Sequence, residues 1–279
     1  YKGQQIEITT FRSDSYDGQS RNPEVVYGDT LEGDLVRRDF KVNAMAIELL
    51  ADASFTFHDP LHGLQDVADR VLGIIVSGEA VTNFAASIAK IAAGFAIAMV
   101  AGLLIGFTMG RSRFMTAYFS LPLFVLGNMP GLTYAVFGLL IFGVGSGGPI
   151  VVSALVATPF IAINVAEGVR SVDGKLLAMC GAFNRSRTDI LRHLYLPALT
   201  TFVFAGVRYG FAMAWKVEAL TEVFGASNGV GFMIRKAYQE FQVDDMLAWT
   251  ALFIVTMVLI ERGLAHLETR FFAWRKEIA

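Results

Sequence analysis

Charge is missing from long stretches of this 279-residue chain. Residues 91–110 contain no Asp, Glu, Lys or Arg, and residues 114–166 contain none over 53 consecutive positions. A helix needs roughly 20 apolar residues to cross a bilayer, so these two stretches hold about three crossings. Cysteine is scarce as well. Cys180 stands alone, which excludes an intrachain disulfide. Nowhere does G-x-x-x-x-G-K-[ST] occur, so the chain carries no phosphate cradle of that kind. Gly143, Gly145 and Gly148 match G-x-G-x-x-G, yet they link two apolar runs with no strand before them, and they read as a turn. The chain opens on Tyr1 without a basic stretch or cleavage pattern. The start reads as that of a fragment, from which no signal peptide can be called.

What is present divides in two. Residues 1–73 carry seven Lys/Arg against thirteen Asp/Glu, and residues 74–279 carry sixteen against twelve. Of the whole chain 54% is hydrophobic and only 17% charged, with a mean hydropathy of +0.51. That points to a membrane protein with a polar segment in front. The expected fold is an all-α polytopic membrane bundle of about five transmembrane helices, preceded by a small truncated α/β fragment. Its parts are 1–73, a junction at 74–82, and a transmembrane domain at 83–279. Spans are expected near 84–109, 116–142, 149–168, 197–221 and 246–264. GVGSGGP at 143–149 breaks the long uncharged stretch, and Pro122 and Pro130 bend the second span.

Charge between the spans sets orientation. Arg111, Arg113, Arg170, Lys175, Arg185, Arg187, Arg192, Arg262, Arg270, Arg275 and Lys276 fall on one side, whereas the opposite loops offer Arg235 and Lys236 beside several carboxylates. The basic side is cytoplasmic by the positive-inside rule, which puts the C-terminus inside and, with five spans, residues 1–73 outside. Gly102, Gly106 and Gly110 recur every four residues, as do Gly206 and Gly210. Small residues at this spacing let helices approach closely. Arg208 and Glu222 are polar within or at the end of the fourth span. Fourteen residues, about 21 Å along a helix, keep them from pairing directly. Arg208 reads equally as a pathway residue or as an anchor bonded to carbonyls.

The connection between spans three and four, EGVRSVDGKLLAMCGAFNRSRTDILRHLYLPAL at 167–199, is too long for a plain link. Leu176, Leu177, Cys180 and Phe183 fall at helical spacing, and Ile190, Leu191, Leu194 and Tyr195 do so again after a break at Asn184–Ser186. An amphipathic loop lying on the membrane fits that pattern.

This stretch also resembles the cytoplasmic coupling loop of ABC-importer permeases, whose pattern is E-A-A, three residues, G, then a dozen positions to Leu-Pro. Without gaps, E-A-A falls on Ala178, Met179 and Cys180, the glycine on Asn184, and Leu-Pro on Leu196 and Pro197. The preceding G-V-R-S-V-D element is intact at Gly168–Asp173. Residues 93–113 and 210–234 are similar too. The resemblance covers roughly 77–279 and points to the nitrate, sulfonate and taurine type. It implies coupling contacts through Asp173, Leu177, Ala178, Met179, Cys180, Asn184, Arg187, Leu196 and Pro197 in the loop 170–196. It also implies an ATP-binding subunit that holds ATP and Mg, an extracytoplasmic solute-binding protein and a second permease copy. The setting would be the lipid bilayer of the inner membrane, with no cofactor on this chain. The motif's acidic residue is replaced by Ala178 and its glycine by Asn184, a residue that tolerates the left-handed region glycine usually supplies.

In the polar segment, QQIEITTF at 4–11 alternates like a strand, 31–49 reads as one or two short helices, 54–58 as a strand and 61–72 as a helix. On its own, Arg37 and Arg38 could simply pair with Glu32 and Asp34 on a solvated helix. ITTFRSDSYD, GDTLEGDLVRRDFKVNAMA and FHDPLHGLQDVADRVL resemble the head domain of tRNA CCA-adding nucleotidyltransferases and poly(A) polymerases. That resemblance implies that Arg38, Asp39 and Asn43 help to hold a nucleotide. The family's phosphate loop and D-x-D carboxylates precede the matching region, so the piece is expected to be catalytically incomplete and to bind no nucleic acid. The junction near 73–77 is expected to be a splice of two genes.

Overall fold

The computed structural model describes residues 12–15, 24–27, 30–36, 38, 40–50 and 54–271. Two small antiparallel hairpins come first. β1 (Arg12–Ser15) pairs with β2 (Glu24–Tyr27), and β3 (Ala46–Leu49) pairs with β4 (Phe55–His58) in the register Ala46↔His58 to Leu49↔Phe55. Between them lie α1 (Leu31–Val36) and a short 3-10 turn at Lys41–Asn43. Residues 46–49 are therefore a strand, not the end of a helix. Ala, Glu and Leu favour helices, but pairing with Phe55–His58 overrides local preference. The expected strand at 4–11, together with Arg37 and Asp39, lies outside the described residues.

α2 (Gly63–Val76) starts where the Asp59 carboxylate accepts the Gly63 and Leu64 amides at 2.8 and 2.9 Å. It runs through residue 73 without a break. Ser77 and Gly78 (φ +80°) then turn the chain into α3 (Glu79–Arg111), whose 33 residues span about 50 Å, more than the roughly 30 Å of hydrocarbon. α2 does not hang free. Val67, Val71 and Ile74 pack with Phe84, Val230 and Trp249, and Arg70 pairs with Asp245 at 3.2 Å.

Among the described residues, four helices are long and apolar enough to cross a membrane: Glu79–Arg111, Gly147–Arg170, Arg187–Gly225 and Val243–Glu268. The second expected span is broken. α4 (Arg113–Asn128) and α5 (Gly131–Phe142) meet at 100°, so that they make one bent crossing or a re-entrant pair. Pro122 stays inside α4, and the bend falls at Met129–Pro130, because proline forces its predecessor into extended backbone. Pro130 has no amide to give the Leu126 carbonyl four residues back. The Tyr134 hydroxyl donates to that carbonyl instead, at 2.6 Å.

α6 (Gly147–Arg170) is the central post. α3 and α9 (Leu196–Gly225) pack along its two sides. The glycine spacing explains the first contact. A Cβ on Gly102 would stand 2.6 Å from Ile161 Cγ2, and one on Gly106 would stand 2.5 Å from the Ala162 carbonyl oxygen. Gly206 likewise lies over Ile161 and Gly210 over Ala157. Two glycine ladders thus grip one helix, and dispersion over the close-packed faces holds the bundle. α10 (Val230–Gln239) is a short helix after α9, and α11 (Val243–Phe271) closes the bundle.

Candidate functional site: the loop between α6 and α9

α7 (Gly174–Ala182) follows α6 after a three-residue turn. The Asp173 carboxylate accepts the Lys175 amide at 2.8 Å and caps its first turn. Its end is equally well defined. The Arg185 amide reaches the Cys180 carbonyl and the Asn184 amide the Gly181 carbonyl, both at 3.0 Å, with Asn184 at φ +48°. That is a Schellman C-cap, with Asn184 in the left-handed position. The loss of the motif glycine therefore leaves the turn intact.

The second arm differs from a separate loop helix. Ser186 caps α8 (Arg187–Ile190) by accepting the Asp189 amide at 3.1 Å, and its hydroxyl donates to Asp189 Oδ2 at 2.8 Å. From there the chain runs helically into the fourth span, so that Arg187–Gly225 forms one 39-residue element. Its single irregularity is a π turn at Leu191–Tyr195, directly before Leu196 and Pro197. Pro197 cannot donate to the carbonyl four residues back and its ring crowds that group, and a wider turn relieves the clash.

No residue of α7 is fully buried. Leu177 faces the bundle with Val172 and Ile190, against the core residues Val169, Tyr195 and Leu199. Ala178, Met179 and Phe183 stand outward, and Cys180 is half-buried. α7 thus offers an exposed apolar face on the basic side while Leu177 and Ile190 tie it to the root of α9.

The other expected residues lie elsewhere. Arg208 pairs with Glu268 of α11 at 2.9 Å, and both side chains are partly exposed. Arg208 is thus anchored by an ion pair between helices, not by backbone carbonyls. Glu222 is fully buried at the end of α9, where its carboxylate binds Lys90 Nζ and the Ser87 hydroxyl at 2.8 Å and the Gly231 amide at 2.9 Å. Lys90 also donates to the Asn228 carbonyl, and Ser87 accepts the Val230 amide. The cluster fastens the start of α10 to α3 and α9. Sequence reasoning passed over Ser87 and Lys90; the signal was a lone lysine at the edge of an uncharged run.

In the polar segment, Arg38 pairs with Asp34 at 3.1 Å and donates to the Asn43 backbone carbonyl at 3.0 Å. Arg38 and Asn43 do come together, while Asp39 lies outside the described residues. The neighbouring Asp66 carboxylate, hydrogen-bonded to Lys41 at 2.8 Å, holds that ammonium's pKa above its usual value. Among the described residues no three His, Cys, Asp or Glu side chains gather as metal ligands would.

Comparison with known proteins gives two family matches. The family described as binding-protein-dependent transport system inner membrane component matches residues 91–272, and the poly A polymerase head domain matches residues 1–73. The chain is 30% identical over 202 residues to the putative aliphatic sulfonates transport permease protein SsuC of Bacillus subtilis, covering 72% of this chain and 73% of that one. It is 26% identical over 196 residues to the taurine transport system permease protein TauC of Escherichia coli, covering 70% and 71%. Among solved structures, an inward-facing form of the MetNI methionine ABC transporter shares the fold. Its TM-score is 0.54 at 19% identity, covering 65% of this chain and 91% of that one.

Proposed function

The chain belongs to the family of binding-protein-dependent transport system inner membrane components, and from that premise we propose that it forms half of the translocation path of an ATP-driven importer for a small sulfonate-like or related anion. As a multi-pass inner-membrane permease of the ABC importer type, it is a transport subunit and not an enzyme. ATP and Mg belong to a partner subunit, an extracytoplasmic binding protein delivers the solute, and a second copy completes the path. The sulfonate and taurine permeases among its relatives support this solute class.

One observation carries the mechanism. α7 is capped at both ends and exposed on its outer face, and Leu177 rests, like Ile190, against the buried cluster that holds Tyr195 and Leu199 at the root of the 39-residue helix. A partner that shifts α7 therefore shifts α9, because close-packed side chains pass on displacement instead of absorbing it. The two halves of the loop act as a lever with its fulcrum at the π turn. Asp173 and Asn184 keep the lever stiff, and Ala178, Met179 and Cys180 lie on the arm that the ATPase would grip.

The test is uptake into proteoliposomes holding the permease and its ATPase, with binding protein and radiolabelled taurine, alkanesulfonate or nitrate. ATP-dependent accumulation of one of these is expected, with Leu177→Ala lowering uptake more than binding of the ATPase. Accumulation that ignores ATP, or none for any of these anions from an assembled complex, would overturn the reading.

A further inference from the structure

A cavity of about 950 Å³ opens where the last turns of α3, the start of α4, α7 and the arm from Arg187 to Tyr195 meet. Its walls combine two chemistries. Phe107, Met115, Leu177 and Tyr195 make an apolar side, and Arg111 and Arg187 supply two guanidiniums. No Asp or Glu lines it. Neither guanidinium forms an ion pair or hydrogen bond with any described residue. Arg111 is held by ring faces instead, with Phe107 at 5.8 Å and Tyr195 at 6.0 Å from its central carbon. Ring contacts fix the plane of a guanidinium and leave its N–H edge free for an oxyanion.

The position narrows the occupant. Arg111 ends α3 directly after the uncharged run 91–110, where a span of that length leaves the hydrocarbon on the side that the positive-inside rule makes cytoplasmic. Basic pockets between spanning helices at that level suit anionic lipid headgroups. A free anion has no use for the apolar wall, and an uncharged lipid would leave both guanidiniums unmatched. We propose that this cavity holds an anionic phospholipid of the cytoplasmic leaflet, its phosphate between Arg111 and Arg187 and its upper acyl chain along Phe107, Met115 and Leu177. Since Leu177 belongs to α7, the lipid also braces the loop through which the permease is driven.

Native mass spectrometry of the purified full chain, equilibrated with equal phosphatidylglycerol and phosphatidylcholine, tests this without any transport assay. The wild type should retain phosphatidylglycerol selectively. Arg111→Gln with Arg187→Gln should weaken that retention by about tenfold or more, whereas Lys175→Gln with Arg192→Gln, which removes equal charge outside the cavity, should leave it unchanged. Leu177→Trp, which fills the apolar wall and keeps both charges, should also displace the lipid, and it decides the matter if the double variant does not fold. Equal retention of the two lipids by the wild type would overturn the proposal. So would undiminished retention in a folded double variant or in Leu177→Trp. Displacement of phosphatidylglycerol by millimolar inorganic phosphate would assign the two arginines to a free anion instead.

Discussion

Asn184 shows how a single substitution can depart from a family pattern and keep its geometry. At φ +48° it occupies a region that costs an ordinary L residue about 1–2 kcal/mol and a β-branched one more. Asn184→Gly should therefore keep or slightly raise thermal stability in detergent, and Asn184→Val should lower it and uncouple ATP hydrolysis from uptake. Equal behaviour of the two variants would show that the turn is not held left-handed. Lys90 poses the opposite problem, since its ammonium is buried against the buried Glu222 carboxylate. Removing one partner strands the other charge, at a cost of about 3–5 kcal/mol, while removing both costs much less. Lys90→Met should thus lower the melting temperature more than Lys90→Met with Glu222→Gln, in which the amide still serves Ser87 and Gly231. A double variant less stable than the single one would show that the ion pair itself is a net source of stability.

Between elements, the contact of α3 with α6 depends on the absence of side chains. A methyl at Gly106 would meet the Ala162 carbonyl at 2.5 Å, and backbone in a helix cannot step aside. Gly181 in α7 has open space at the same position. Gly106→Ala should therefore destabilise the bundle by about 1–3 kcal/mol, and Gly181→Ala should stabilise α7 by up to about 1 kcal/mol, as alanine does in an exposed helix. Thermal unfolding of both variants in one detergent checks the pair, and a stable Gly106→Ala would mean that the two helices lie further apart. The four-residue spacing was legible in the sequence, although which helix it grips was not. The strand at Ala46–Leu49 was not legible either. Its residues favour a helix locally, and the partner that decides otherwise, Phe55–His58, enters only through pairing.

For the whole molecule, orientation rests on the asymmetry of basic residues, and Cys180 reports on it. As the one cysteine of the chain, half-buried on α7, it should react with a membrane-impermeant maleimide in inside-out vesicles and not in intact cells. Labelling of intact cells would reverse the topology and with it the side proposed for the contact of α7 with an ATPase. The same orientation leaves α2 at the opposite end of α3. There it is packed against α10 and α11, although its first turns fall within the head-domain match at 1–73. The helix passes residue 73 unbroken because Val67, Val71 and Ile74 repeat on one face on either side of Arg70 and find Trp249 and Val230 to cover them.

By itself, the amino-acid sequence determined the approximate number of apolar spans, the uneven placing of basic residues between them, the capped turn at Asn184 and the family. Each of these is written in a run or a spacing of neighbouring residues, where the chemistry is local. Only the tertiary structure decided the 100° break at Pro130, the fusion of the loop's second arm with the fourth span, the pairing of Arg208 with Glu268, and the burial of Lys90 against Glu222. The two ion pairs join groups 60 and 132 positions apart, which hydrocarbon cannot hydrogen-bond, so each finds its partner only through the packing of distant helices.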